Sequence, residues 1–120
     1  MPTRARLDEF IAVVESGDHA GAIERFYTED ASMQENTAEP RLGRDNLVAR
    51  ERAVLERTPT VYSKAVASVL DGDRVAIHWN FELTDKEGKT RRFDEVAFQE
   101  WRGDRIFRER FFYDPTKVNA

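Results

Sequence analysis

The spacing of apolar residues changes once along this chain, near Val61, and that change constrains the fold more than any other feature of the sequence. Before Val61, apolar residues recur at the three- and four-residue spacing of one helix face. After it, strand-like runs alternate with short turns rich in Asp and Gly. The sequence therefore predicts helices followed by a long antiparallel meander, which is an α+β domain and not a doubly wound α/β fold.

Residues that cap or terminate helices set the expected bounds of these elements. Gly17 stops the first helix, Asp18 is a candidate N-cap for the second, and Pro59 ends the third. We expect Phe26 and Tyr27 to lie on the buried stripe of the second helix. The predicted elements are a helix over 3–16, a helix from Asp18 to Glu29-Asp30, a short strand over 31–35, a loop over 36–40, a helix from about Asp45 to Thr58, and strands over 61–70, 74–83, 90–101 and 105–113.

Alternation along the strands predicts which side chains face inward. The odd positions of 74–83 are apolar, so they should face the core, Trp79 among them. In the last strand, Glu109 shares a face with Phe107, Phe111 and Tyr113, and a glutamate within an aromatic face is a misfit that points to function.

The register of 93–101 stays open at this point. One alternative turns Glu95 and Gln99 inward with Ala97 and Trp101. The competing alternative buries Val96 and Phe98 instead.

Composition excludes several classes of function. A length of 120 residues fits one domain, and the net charge of -4 gives no electrostatic footprint for nucleic acid. Without cysteine and with two histidines, a transition-metal centre is not expected, and we expect no cofactor. No apolar run has the length of a membrane-spanning helix and no signal peptide is visible, so we expect a soluble cytoplasmic protein without membrane contact.

Three phrases carry a resemblance to a known family: SGDHAGAIERFYTEDASMQEN, RLGRDNL and WRGDRIFRERFFYDP. They resemble the SnoaL-like branch of the superfamily named after nuclear transport factor two and ketosteroid isomerase. The resemblance implies one domain over 1–120, with a cone-shaped, curved antiparallel sheet packed against three N-terminal helices and enclosing a pocket (a cystatin-like α+β barrel). It also implies a homodimer formed through the outer sheet face.

The resemblance assigns candidate roles to individual residues. In ketosteroid isomerase the general base follows the first short strand, and the matching residue here is Glu35. The two oxyanion donors of that enzyme fall on Phe10 and near Ala97, which carry no suitable hydrogen. This argues against a classical steroid isomerase, since oxyanion stabilisation is typically the largest catalytic contribution.

Glu109 and Tyr113 occupy pocket-facing positions in the same alignment. Glu109 is either a second catalytic carboxyl or a structural one, paired to an arginine or hydrogen-bonded to Tyr27 or Tyr113. The Asp-Arg-Asp set of limonene epoxide hydrolase has a weak counterpart in Arg92 and Asp94, which alternation places outside.

Two functional interpretations follow. The first is a cofactor-independent isomerase, cyclase or lyase that acts on a small apolar or aromatic molecule by carboxylate acid–base chemistry. The alternative is a non-catalytic ligand-binding or dimerisation domain, favoured by the missing oxyanion donors and by the lack of an imidazole on the apolar face, since His19 and His78 are expected to be incidental or outside. The predicted site residues are Glu35 and Glu109 as catalytic groups, and Phe10, Tyr27, Trp79, Gln99, Phe111 and Tyr113 as ligand contacts.

Overall fold

A computed structural model describes residues 1–117, so the last three residues of the predicted domain lie outside the described residues. Helices come first and strands dominate the second half, as the change of spacing predicts. The elements are α1 (Arg4–Glu15), α2 (His19–Phe26), β1 (Tyr27–Glu35), β2 (Arg41–Leu42), α3 (Arg44–Glu56), β3 (Thr60–Asp71), β4 (Arg74–Thr84), β5 (Thr90–Arg102), β6 (Arg105–Phe112) and a 3-10 turn (Pro115–Lys117).

The strands form one six-stranded sheet in the order β2-β1-β6-β5-β4-β3. From β3 to β6 the strands form the predicted antiparallel meander, and β1 adds to its far side parallel to β6. The sheet is therefore mixed, and the three helices cover one of its faces. This arrangement confirms the predicted α+β fold class.

Local side-chain caps start the first two helices. The Thr3 hydroxyl accepts a hydrogen bond from the backbone N–H of Arg6 at 3.0 Å. The Asp18 carboxylate accepts one from the backbone N–H of Gly21 at 2.9 Å, as its predicted N-cap role requires. Gly17 adopts a φ of 92°, a left-handed conformation that lets the chain turn between the two helices.

Alternation along β4 places Val75, Ile77 and Trp79 in the core, as predicted. The register of β5 is also decided, because Glu95 pairs with Trp79 across the ladder and Gln99 with Val75. The inner face of β5 consequently carries Glu95, Ala97, Gln99 and Trp101, while Val96 and Phe98 lie on the outer face.

The predicted end of the second helix was wrong. α2 ends at Phe26, and Tyr27 begins β1, where it pairs with Ile106 of β6. Pairing with the neighbouring strand therefore overrides the helical spacing at this point. Tyr27 stays buried, as predicted, but it projects from the sheet and not from a helix.

The predicted orientation of Phe107 was also wrong. Opposite Glu100 and Trp101, β6 contains one extra residue, because Glu100 pairs with Arg108 while Trp101 pairs with Ile106. This β-bulge puts Ile106 in the core. Phe107 lies instead against two guanidinium groups. Its ring centre is 4.7 Å from the guanidinium carbon of Arg102 and 5.5 Å from that carbon of Arg108.

Within residues 1–117, no helix combines the length and the apolar character that crossing a bilayer would require.

Replacing Asp18 with Ala should destabilise the protein by about 1 kcal/mol, because it leaves a backbone N–H of the first turn of α2 without its acceptor. Urea unfolding followed by circular dichroism measures this loss. Asp18→Asn keeps an acceptor oxygen and should recover most of the stability. If both variants unfold at the wild-type midpoint, the cap does not contribute to stability.

Candidate functional site

A cavity of about 440 Å³ lies between the helices and the inner face of the sheet. Much of its wall is aromatic, including the stacked rings of Trp79 and Phe81, whose centres are 5.2 Å apart. Four glutamates also line it. They are Glu35, Glu51, Glu95 and Glu109. The cavity therefore combines apolar walls with acidic groups at different depths.

Glu109, on β6, is the most deeply buried of these carboxyl groups, with 2% of its surface exposed. Gln99 donates a hydrogen bond to one of its oxygens at 2.6 Å, and the Tyr27 hydroxyl donates to the other. The Trp101 indole in turn donates to the Gln99 side chain at 3.0 Å, which fixes the orientation of that amide. Side chains from β1, β5 and β6 thus form one buried network around Glu109.

Burial raises the pKa of Glu109 to about 7, although the hydrogen bonds from Gln99 and Tyr27 act in the opposite direction. The pKa of Tyr27 is raised well above its usual value, first by burial and then by the charge of Glu109. Tyr27 therefore remains a neutral donor to Glu109 throughout the physiological range.

Glu95 lies on the inner face of β5, beside Trp79, with 8% of its surface exposed. It has no hydrogen-bond donor and no ion-pair partner within residues 1–117. Every fully buried side-chain oxygen of the described residues does have a partner, so the Glu95 oxygens are accessible from the cavity.

Burial, followed by the charges of Glu109, Glu35 and Glu51 in that order, raises the pKa of Glu95 to about 8. A carboxyl group with such a pKa is mostly protonated at neutral pH and exchanges its proton readily there. Glu95 is therefore a free acid group that faces an open cavity.

Glu35 ends β1 at the rim of the cavity and is half exposed. It forms an ion pair with Arg41 at 2.7 Å and accepts a hydrogen bond from the Tyr113 hydroxyl at 3.2 Å. Asn36, with a left-handed φ of 51°, holds this rim together, because its side chain accepts from the Tyr113 backbone N–H at 3.0 Å. Burial and the charge of Glu35 raise the pKa of Tyr113.

His19 also lines the cavity, from the first turn of α2, which corrects the expectation that no imidazole lies on the apolar face. One ring nitrogen is 2.7 Å from the Ser63 hydroxyl and the other is 3.5 Å from a Glu51 oxygen. The ring packs edge-on against Phe81, with ring centres 5.4 Å apart. The other histidine, His78, lies on the outer face of the sheet against Asp94, as predicted.

The chain was compared with models of known protein families. The family model for the SnoaL-like domain matches residues 7–109. The chain belongs to the SnoaL-like domain family. A comparison with curated protein sequences found no match.

Solved structures show the same fold at low sequence identity. A protein from Jannaschia sp. CCS1 assigned as a SnoaL-like polyketide cyclase has a TM-score of 0.80 at 12% identity, covering 100% of this chain and 96% of the other. A protein of Catenulispora acidiphila DSM 44928 with a ketosteroid-isomerase-like fold, in complex with trimethylamine, has a TM-score of 0.80 at 15% identity over 97% and 90% of the chains. An LEH-like epoxide hydrolase of M. tuberculosis has a TM-score of 0.80 at 15% identity over 95% of this chain and 84% of the other.

Most of the predicted site residues of this SnoaL-like domain lie around the cavity, but not all. The residues in its lining are Glu35, Glu109, Phe10, Tyr27, Trp79, Phe111 and Tyr113. Gln99, predicted as a ligand contact, is fully buried and does not line the cavity, because its amide is held between Trp101 and Glu109. Arg92 and Asp94 lie on the outer face, where Arg92 pairs with Glu82 at 2.9 Å.

Sequence reasoning left the orientation of Glu95 undecided, whereas the structure places it in the cavity lining, together with Arg91. The β4–β5 turn carries a signal that fixes this register. The ladder closes symmetrically at Thr84 and Thr90, so odd residues of β4 lie opposite odd residues of β5 and share their face. Applying that rule to the inward Trp79 would have selected Glu95.

Among residues 1–117, no group of three or more His, Cys, Asp or Glu side chains is arranged to hold a metal ion.

The raised pKa of Glu95 should make stability depend on pH. Between pH 4.5 and about pH 8, the folded protein holds a proton on Glu95 that the unfolded chain has released. The free energy of unfolding should therefore fall as pH rises through this window. Glu109 contributes in the same direction up to about 7. In Glu95→Gln this contribution is absent, so the variant should become increasingly more stable than the wild type as pH rises.

Thermal unfolding followed by circular dichroism across this pH window measures the effect. Glu87→Gln, at an exposed position in the β4–β5 turn, serves as the matched control and should follow the wild type. A Tm difference between Glu95→Gln and the wild type that is constant with pH would show that Glu95 has no raised pKa.

Proposed function

We propose that this SnoaL-like domain binds a small, largely apolar molecule in its cavity and transfers a proton to or from it through Glu95, without a metal or an organic cofactor. The observation that carries this proposal is the free carboxyl group of Glu95, which is buried beside Trp79 and faces the open cavity. A buried carboxyl group ordinarily has a hydrogen-bond partner, so an accessible one without a partner is available to a ligand.

The environment of Glu95 suits general acid–base catalysis. With a pKa of about 8, it is a stronger base than an exposed carboxylate and still ionises partly at neutral pH. In its protonated form it can donate a hydrogen bond to a ligand carbonyl. That donor would offset the lack of donors at Phe10 and Ala97, because Glu95 lies two residues before Ala97 on the same face of β5.

Glu109 supports this role electrostatically. After burial, its charge makes the largest contribution to the raised pKa of Glu95. Because Tyr27 and Gln99 occupy both of its oxygens, its position is fixed and it is less free to exchange a proton with a ligand. Two carboxyl groups in different environments, one held and one free, can take different roles in proton transfer.

The role of general base predicted for Glu35 stays a prediction. Its ion pair with Arg41 and its partial exposure favour Glu95 for that role. We propose instead that Glu35 and Tyr113 contact a polar group of the ligand at the rim. Two structural neighbours that are assigned as enzymes, the polyketide cyclase and the epoxide hydrolase, support a catalytic use of this fold.

Binding without reaction is the second candidate function. The absence of oxyanion donors at Phe10 and Ala97 favours it. The neighbouring ketosteroid-isomerase-like structure, which holds trimethylamine, supports a use of the same fold for holding small molecules.

Proton transfer can be tested without knowing the natural substrate. Tetralone, a bicyclic ketone with exchangeable protons next to its carbonyl, is incubated with the protein in deuterated buffer, and proton NMR measures deuterium uptake. The wild type should accelerate uptake relative to free acetate at the same concentration. Glu95→Gln should lose about 100-fold of that acceleration, since general base catalysis contributes roughly this much, whereas Glu87→Gln should retain it.

The two candidate functions give different results in this experiment. If tetralone perturbs the NMR signals of Trp79 but no deuterium is taken up, the cavity binds without catalysing proton transfer. Equal uptake in the wild type and Glu95→Gln would assign the chemistry to another group, with Glu35 as the next candidate.

We also propose that a second copy of the chain covers the outer face of the sheet. Val96, Phe98 and Phe112 are exposed there, and Val96 is the ladder partner of Phe112. Acidic and basic side chains, such as Asp94 and Arg110, flank this apolar patch, so the surface can complement a two-fold copy of itself.

Light scattering should accordingly give the mass of a homodimer. Phe98→Asp places a charge in the middle of the apolar patch and should shift the protein to a monomer. Leu42→Asp, at an exposed apolar residue on the short edge strand β2, is the matched control and should leave the mass unchanged. A wild-type monomer would refute the dimer.

A further inference from the structure

Most arginines of this chain donate hydrogen bonds to carboxylates or backbone carbonyls. Those without any such acceptor within residues 1–117 are Arg50, Arg57, Arg74 and Arg91. Three of these four, all except Arg74, line the cavity. Unpaired guanidinium groups are therefore concentrated at the proposed ligand site.

These three guanidinium groups come from two elements of the cavity lining. Arg50 and Arg57 are exposed and Arg91 is partly exposed, so they lie where the lining meets solvent, which is called the opening below. Arg50 lies on α3 and Arg57 at its C-terminal cap, two helical turns apart and thus on the same side of the helix. Arg91 lies on the inner face of β5, with its guanidinium 5.7 Å from the ring centre of Phe93. The fourth arginine of the lining, Arg41, is neutralised by Glu35.

Cations that share an opening repel one another, and an anion placed between them removes that repulsion. The guanidinium fork matches a carboxylate through paired N–H donors, so arginine is well suited to this group. The carboxylates of the cavity do not supply the anion, since none of them pairs with Arg50, Arg57 or Arg91. An anion that neutralises the positive charge at the opening would therefore come from outside the described residues.

We infer that the ligand is an amphiphilic carboxylic acid, whose carboxylate is bound by Arg50, Arg57 and Arg91 and whose apolar body extends along Trp79 and Phe81 toward Glu95. This inference rests on the proposed function, in that the same cavity is the ligand site. The carboxyl groups of Glu95 and Glu109 lie deep in the cavity without a cation beside them, so a carboxylate placed there would be desolvated without a counter-charge. The ligand is therefore oriented with its carboxylate outward.

Isothermal titration calorimetry with naphthoate and with its uncharged primary amide, naphthamide, tests this inference. Both share one apolar body, so the difference isolates the charge. Wild-type protein should bind naphthoate about ten-fold more tightly, because a hydrogen bond to a charged group contributes roughly this factor. Added salt should weaken naphthoate binding and leave naphthamide binding unchanged.

Arg50→Gln, Arg57→Gln and Arg91→Gln should each weaken naphthoate binding by about three-fold or more, with no effect on naphthamide. Arg74→Gln is the matched control, since Arg74 is equally unpaired but lies away from the cavity. It should leave the binding of both probes unchanged.

Several results would overturn the inference while leaving proton transfer intact. The first is equal affinity for naphthoate and naphthamide. The second is an equal loss of naphthoate affinity in Arg74→Gln and in the three cavity variants. Each overturns the inference, and not the proposed function, if tetralone still takes up deuterium in a Glu95-dependent reaction. Absence of binding by either probe, with that uptake intact, would also do so. Tighter binding of naphthyl phosphate than of naphthoate would replace the carboxylate by a phosphate. If the wild type does not accelerate deuterium uptake by tetralone, the proposed function is refuted instead.

Discussion

The buried carboxyl group of Glu109 is the constraint on which the rest of the interior depends. A carboxyl group at this depth must be surrounded by donors, and the chain provides them from three strands, through Tyr27, Gln99 and, one step further, Trp101. Satisfying Glu109 therefore fixes the relative positions of β1, β5 and β6. Glu95, four residues before Gln99 on the inner face of β5, is left without a donor of its own.

Charge is distributed unevenly around the cavity. Carboxyl groups without a cation, Glu95 and Glu109, lie deep within it, whereas arginine side chains without an anion border its opening. Each set is unfavourable alone: the acids are desolvated, and the guanidinium groups repel one another. A ligand with a hydrogen-bonding group at one end and a negative charge at the other satisfies both, which gives the cavity a defined polarity.

The fold could be predicted from the sequence because its signals are local. The helix cap at Asp18 and the alternation in β4 each depend on a few neighbouring residues. The site depends on longer-range pairing. Tyr27 joins a strand because β6 lies beside it, and His19 reaches the cavity because Ser63 and Glu51, far away in sequence, hold its ring. Glu95 lies between these cases, since the turn of the β4–β5 hairpin determines its face but alternation alone does not.

The extra residue in β6 has a consequence for the charge inside this cavity. Without the bulge at Phe107, the ladder that begins with Trp101 and Ile106 would continue in step and place Arg108 opposite Gln99, where Glu109 is now. Every later side chain of β6 would then change face, so that a guanidinium group would occupy the interior in place of the acid. The bulge thus sets the sign of the charge inside the cavity, because the extra residue brings an acid and not a base to the position opposite Gln99.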